Sequence, residues 1–93
     1  MRRRTLGMTS EGFLRRLRAG KAVNCGYRRG ELTGLISACP YGDGFVLTWE
    51  ECPVGQQYDE STYTRDEWHS FETAEAVLAF VEGQGHPASA FTP

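Results

Sequence analysis

Nowhere in these 93 residues does an apolar run approach the roughly 20 residues that a helix needs to cross a bilayer. The opening Met1-Arg2-Arg3-Arg4 imitates the charged start of a signal peptide, but Thr5 to Glu11 contains no apolar stretch to follow it. The expectation is a cytoplasmic chain with no membrane partner. Cysteine is scarce too. Cys25, Cys39 and Cys52 make an odd number, and no two form a CxxC pair, so a disulfide framework is not indicated. Each lies in an apolar or strand-like stretch and is expected to be a buried, reduced thiol. The only histidines, His69 and His86, are far apart and in unlike contexts, and a zinc site needs four ligands at close spacing. No metal and no cofactor are implied.

Catalytic signatures are missing as well. The chain has no GxSxG, no HExxH and no Gly-rich phosphate loop leading into a helix. Gly26, Gly30 and Gly34 recur at spacing four, but within strand-and-turn sequence, where turns and bulges account for them. His69, in Asp66-Glu67-Trp68-His69-Ser70, reads as a surface residue or a satisfied hydrogen-bond donor. His86, between Gly85 and Pro87, reads as passive. Cys25 has no histidine near it in sequence to activate it as a nucleophile. No catalytic residue is assigned, and the chain is not expected to be an enzyme.

What is present is a foldable core and a divided charge. Hydrophobic residues are 40% and aromatic residues 12% of the chain, enough for one domain and too apolar for a disordered one. Residues 1–29 carry nine basic side chains against the single acid Glu11, a net +8. Residues 30–93 carry only Arg65 against eleven acids, a net −10, so the total of −2 conceals two opposed segments. Such a split marks either an interaction surface or a basic segment folded against an acidic remainder.

The periodicity places the elements. Thr9 or Ser10 caps a helix over about residues 10–19, with Phe13, Leu14 and Leu17 on one stripe and Gly20 as its stop. The period then becomes two. Val23, Cys25 and Tyr27 form one strand face, and Leu32, Gly34, Ile36 and Ala38 another after a turn at Arg29-Gly30. Pro40 to Gly44 is a turn, and Phe45, Leu47 and Trp49 alternate along a third strand. Gln56 to Thr64 is rich in Tyr and Thr, which favours a fourth strand continuing, bent, to Phe71. Thr73 caps a last helix carrying Val77, Phe80 and Val81, closed by Gly83 and Gly85. The expected fold is α+β: an antiparallel sheet of three to four sequential strands flanked by an N-terminal and a C-terminal helix, in two layers. Residues 1–9 are expected to be a flexible basic segment, 10–85 the domain, and 86–93 an exposed tail onto which only Phe91 could add a docking contact. With both helices on one face of the sheet, function is expected on the other face or in the loops at its edges.

Two residue groups could meet a partner. Glu50, Glu51, Asp59, Glu60, Asp66 and Glu67 are interleaved with Tyr58, Tyr63 and Trp68. Aromatic anchors ringed by acids suit a basic protein partner, since Tyr and Trp give large contact area and the acids steer association. Glu50 and Glu51 are adjacent on a strand and point to opposite faces, so only one can join such a surface. Arg15, Arg16, Arg18, Arg28 and Arg29 are the alternative, a basic edge for phosphates. The motifs of nucleic-acid-binding modules are absent, and the acidic remainder would repel a polyanion.

The stretch from Trp68 to Glu82, a strand, Phe71, a short polar cap and an amphipathic helix of the form Ala74-Glu75-Ala76-Val77-Leu78-Ala79-Phe80, resembles the close of many small bacterial immunity proteins. Gly44 to Glu51 is similar to their central strands. The resemblance covers about half the chain and is a pattern, not a diagnostic motif. It implies an immunity protein of a polymorphic or contact-dependent toxin system: small, non-enzymatic, a monomer or weak dimer when free. Its partner would be one cognate toxin domain, basic and plausibly nucleic-acid-directed, whose site it occludes. The other class in view is a phage- or host-encoded regulator that binds a protein or nucleic acid through the basic edge.

Overall fold

The computed structural model describes residues 7–93. Helix α1 spans Ser10–Arg18, and Thr9 caps it by accepting a hydrogen bond from the Gly12 N–H. Four strands follow: β1 Val23–Arg29, β2 Leu32–Tyr41, β3 Gly44–Pro53 and β4 Arg65–Phe71. Helix α2, Ala74–Gly83, is capped by the Thr73 hydroxyl, which accepts from the Ala76 N–H. The strands lie in the order β1-β2-β3-β4, each antiparallel to the next, so the sheet is a meander with helices at both ends of the sequence. The α+β reading of the sequence holds, with four strands. Among the described residues no helix is long and apolar enough to cross a membrane.

Two tight turns make the meander possible. Gly30 and Gly42 open the β1–β2 and β2–β3 turns with φ of 62° and 61°. That left-handed backbone suits hairpin turns and costs glycine nothing, while a Cβ would strain it. The core lies between the sheet and the helices. It gathers Phe13 and Leu17 from α1, Val23 and Cys25 from β1, and Ile36 and Ala38 from β2. Leu47 and Trp49 of β3 meet Val77 and Val81 of α2 in the same cluster. Each fully buried large side chain contributes about 1.5–3 kcal/mol by leaving water.

Three expectations need correction. The segment 56–64 is not a strand. Its Thr and Asp side chains bond to nearby backbone instead: Asp59 accepts from the Ser61 N–H, and Thr62 donates to the Asp59 carbonyl, forming a short 3-10 turn at Glu60–Thr62. Such local bonds compete with a sheet ladder and override strand propensity. The tail 86–93 is not free. Phe91 is fully buried edge-on to Phe13, with ring centroids 5.2 Å apart. Thr92 and Asn24 exchange two backbone hydrogen bonds along the outer edge of β1, at 2.8 and 2.7 Å. The flexible segment expected at 1–9 does not extend over its described end. Arg2, Arg3 and Arg4 fall outside the described residues, Met8 packs against the core, and Thr9 is the α1 cap.

Candidate partner-binding face

Strand alternation gives the sheet a covered face and an open one. On the open face the register sets side chains in rows across the strands. Arg28, Thr33 and Cys52 form one row. Gly26, Leu35, Glu50 and Asp66 form the next, then Asn24, Ser37, Thr48 and Trp68. Trp68 is 62% exposed and Leu35 46%, and Tyr41 beyond them is also exposed. Tyr41 and Trp68 meet edge to face with centroids 6.0 Å apart. An exposed apolar group of this kind is unusual on a small domain unless something covers it.

Glu50 and Asp66 are direct cross-strand partners. Like charges set opposite one another destabilise a sheet. Both are exposed, and neither has an ion-pair partner among the described residues. A local rule broken in this way is expected at a functional site rather than in a structural one.

The loop from Val54 to Thr64 forms a wall at one end of this face. It is tied down by the Val54 N–H to the Glu31 carbonyl at 2.9 Å and the Thr64 N–H to the Glu51 carbonyl at 2.8 Å. The Tyr63 hydroxyl donates to the Gln57 carbonyl at 2.7 Å, which fixes the ring over the sheet's end. Burial pushes the Tyr63 phenol up, and the acidic groups of Cys52, Glu50, Glu60 and Asp66 push the same way. Tyr58 projects fully into solvent, and Glu60 is exposed beside it. Asp59 is exposed too, but its carboxylate also accepts from the Ser61 N–H and hydroxyl at 3.1 and 2.6 Å.

Of the nine residues predicted to meet a partner, Glu50, Asp66 and Trp68 share the open face, and Tyr58, Asp59, Glu60 and Tyr63 stand on the loop beside it. Glu51 and Glu67 do not join them. Glu51 is on the covered face with only 4% exposure. Glu67 is on the covered side of β4, held between Arg65 at 3.2 Å and His69 at 2.9 Å. Alternation alone sends both away from Glu50.

The arginines are scattered. Arg15, Arg16 and Arg18 ride on α1, on the covered side, while Arg28 points to the open face. Arg18 pairs with Glu75, Arg29 with Glu51 at 3.1 Å, and the Arg16 Nε donates to the Ala22 carbonyl at 2.6 Å. Part of the charge split is therefore internal compensation between the basic and acidic segments.

A polar cluster around Glu51 was not foreseen. Tyr27, Gly34 and Glu51 lie in one cross-strand row. The Tyr27 ring crosses the bare backbone of Gly34, where a Cβ would collide with it. Its hydroxyl then donates to Glu51 Oε1 at 2.5 Å and accepts from Trp49 Nε1 at 3.0 Å. Thr64 donates to Glu51 Oε2 at 2.6 Å. Hydrogen bonds from Thr64 and Tyr27 hold the Glu51 carboxyl below its ordinary value, with the charges of Arg29 and Arg65 adding to them against the opposing effect of burial. The Arg65 guanidinium sits 3.8 Å from the centre of the Trp49 ring. His86 packs against Trp49 and Tyr27 with centroids 5.3 and 5.2 Å apart, so it is a packed residue rather than a tail one. Burial, and then the nearby Arg29 and Arg65, lower its pKa. The available signal was the shared parity of Trp49 and Glu51. The cluster consumes its own donors and acceptors and serves the fold.

His69 is half-buried, tilted against Phe80 with ring centroids 4.7 Å apart and bonded to Glu67. Among the described residues no group of three or more His, Cys, Asp or Glu side chains is gathered to hold a metal ion. Comparison of the chain with protein-family models, with curated proteins and with solved structures gives no match.

Proposed function

We propose that this chain is a non-enzymatic, protein-binding inhibitor, and specifically an immunity protein that neutralises a bacterial toxin by covering its active or substrate-binding cleft. The observation that carries the reading is the open sheet face, where Trp68, Tyr41 and Leu35 stand exposed beside the unpaired Glu50 and Asp66. Aromatic anchors at the centre of an acidic surround fit a basic protein surface. A toxin that grips a polyanion is basic in its cleft, so an acidic face can take the place of its substrate.

The test is a tagged pull-down of the full chain, wild type beside Trp68→Ala, followed by a salt titration of the complex. A one-to-one complex with a basic enzyme domain is expected, with inhibition of that enzyme. Trp68→Ala should weaken it by tenfold or more, a loss of about 1.4 kcal/mol or above. Glu60→Lys should slow association without unfolding the chain. It is a cleaner probe than Asp59, whose carboxylate also caps the 3-10 turn. Recovery of nucleic acid, released by moderate salt and by replacing Arg15, Arg16 or Arg18, would overturn the reading and move function to α1.

A further inference from the structure

At the end of the open face, the sheet and the Val54–Thr64 loop border an open pocket of about 190 Å³. That is room for one long side chain. Leu35 of the sheet offers apolar surface, and Glu50 of the sheet and Gln57 and Tyr63 of the loop line the pocket with it. Leu35 and Glu50 are cross-strand neighbours, so the apolar surface and the anion lie side by side. Asp66 follows Glu50 in the same row.

This arrangement selects one kind of occupant. An apolar side chain would leave Glu50 and Asp66 facing each other without relief. An anion would meet Glu50, with Asp66 next to it in the row. A cation with an apolar stem satisfies every wall. Arginine fits better than lysine. Its planar guanidinium can stack on an aromatic face and bond a carboxylate in two places, while lysine presents a compact, strongly hydrated charge. The Tyr63 ring is held for this by its hydroxyl bond to the Gln57 carbonyl.

We infer that the pocket between Leu35, Glu50 and Tyr63 receives an arginine side chain of the partner protein. The inference rests on the proposed protein-binding role of the open face and names the contact that would set its specificity. Trp68 supplies contact area two residues along β4 from Asp66, and the pocket supplies discrimination. The carboxylates would then recover on binding what their opposition costs in the free protein.

The experiment uses the full chain, isotopically labelled, and two probes: Nα-acetyl-arginine amide and its neutral isostere Nα-acetyl-citrulline amide. Each is titrated while backbone amide resonances are followed. The expected result is saturable shifts confined to Leu35, Glu50, Cys52, Gln57 and Tyr63 with the arginine probe. Charge-assisted hydrogen bonds predict binding about tenfold or more weaker for citrulline. Glu50→Gln should lose a similar factor, with an unfolding midpoint no lower than that of the wild type showing that the fold is intact. Equal binding of both probes would overturn the inference. So would arginine shifts that also spread to remote acids such as Asp43 and Glu82. The two proposals fail separately. A toxin complex lost on Trp68→Ala but indifferent to Glu50→Gln, with no arginine probe bound, removes the pocket and keeps the inhibitor. Probe binding without any basic protein partner keeps the pocket and removes the inhibitor.

Discussion

Glu50 and Glu51 are neighbours in one strand, yet they belong to different parts of the molecule. Glu51 lies under the helix-bearing side and is met by Tyr27, Thr64 and Arg29. Glu50 lies on the bare side, opposite another carboxylate. One face of the sheet satisfies its polar groups internally. The other leaves Glu50 and Asp66 without an ion-pair partner among the described residues and Trp68 exposed. A single step along a strand separates a charge that holds the fold from one that is free to meet something else.

The contrast can be broken by measurement. The largest effect should come from the covered side. Phe91→Ala empties a fully buried site against Phe13 and should cost about 3–5 kcal/mol in a denaturant titration. Trp68→Ala, an equally drastic truncation on the open face, should cost far less. Equal losses would show that the open face also carries the fold.

Glu51→Ala should follow at about 3 kcal/mol, since it leaves the Tyr27 and Thr64 hydroxyls and the Arg29 guanidinium without their acceptor. A near-neutral result would mean that water or a neighbouring acceptor readily replaces the carboxylate.

Acid should act on the same cluster in two stages. His86 has its pKa lowered from 6.5 in the folded chain, so the unfolded chain binds the proton first, and stability should fall as pH drops below about 6.5. Glu51 is likewise lowered from 4.5, so the stability it contributes is present above that value and is lost as pH falls through the folded pKa. Thermal unfolding midpoints followed downward from neutral pH should show both stages. His86→Phe should remove the upper one alone. A midpoint that stays level below pH 6.5 would contradict the packing of His86 against Trp49.

The smallest effect has the opposite sign. Glu50→Gln removes one of two facing like charges and should stabilise the chain by about 0.5 kcal/mol, even as it weakens binding. If it destabilises instead, Glu50 has a structural partner, and the two faces are more alike than their burial suggests.

Much of this was legible in the residues. Alternation at Val23, Cys25 and Tyr27, at Ile36 and Ala38, and at Leu47 and Trp49 identified the covered face, because a period of two has only two solutions and apolar side chains choose between them. The same parity predicted that Glu50 and Glu51 would part. Register was not legible. Nothing in the sequence sets Asp66 opposite Glu50, because that pairing depends on how much chain the Val54–Thr64 loop takes up before β4 begins. That loop was misread as a strand because Tyr and Thr count toward strand propensity, while the capping bonds of Asp59 and Thr62 depend on geometry. Tyr27 reaching across Gly34 to Glu51 joins three strands, and no local window contains it.

The bridge between Asn24 and Thr92 has a consequence for the order of folding. Every strand pairs with its neighbour in sequence, so the meander can assemble hairpin by hairpin as the chain is made. Phe91 and Thr92 are different. They close on Phe13 and Asn24 across nearly the whole chain, a far longer loop closure than any strand pairing in the sheet. The sheet's local pairings can form while Phe13 still lacks its cover. The strap therefore caps a core that the zippered sheet leaves open, and a chain without Phe91 would display the apolar seam around Phe13.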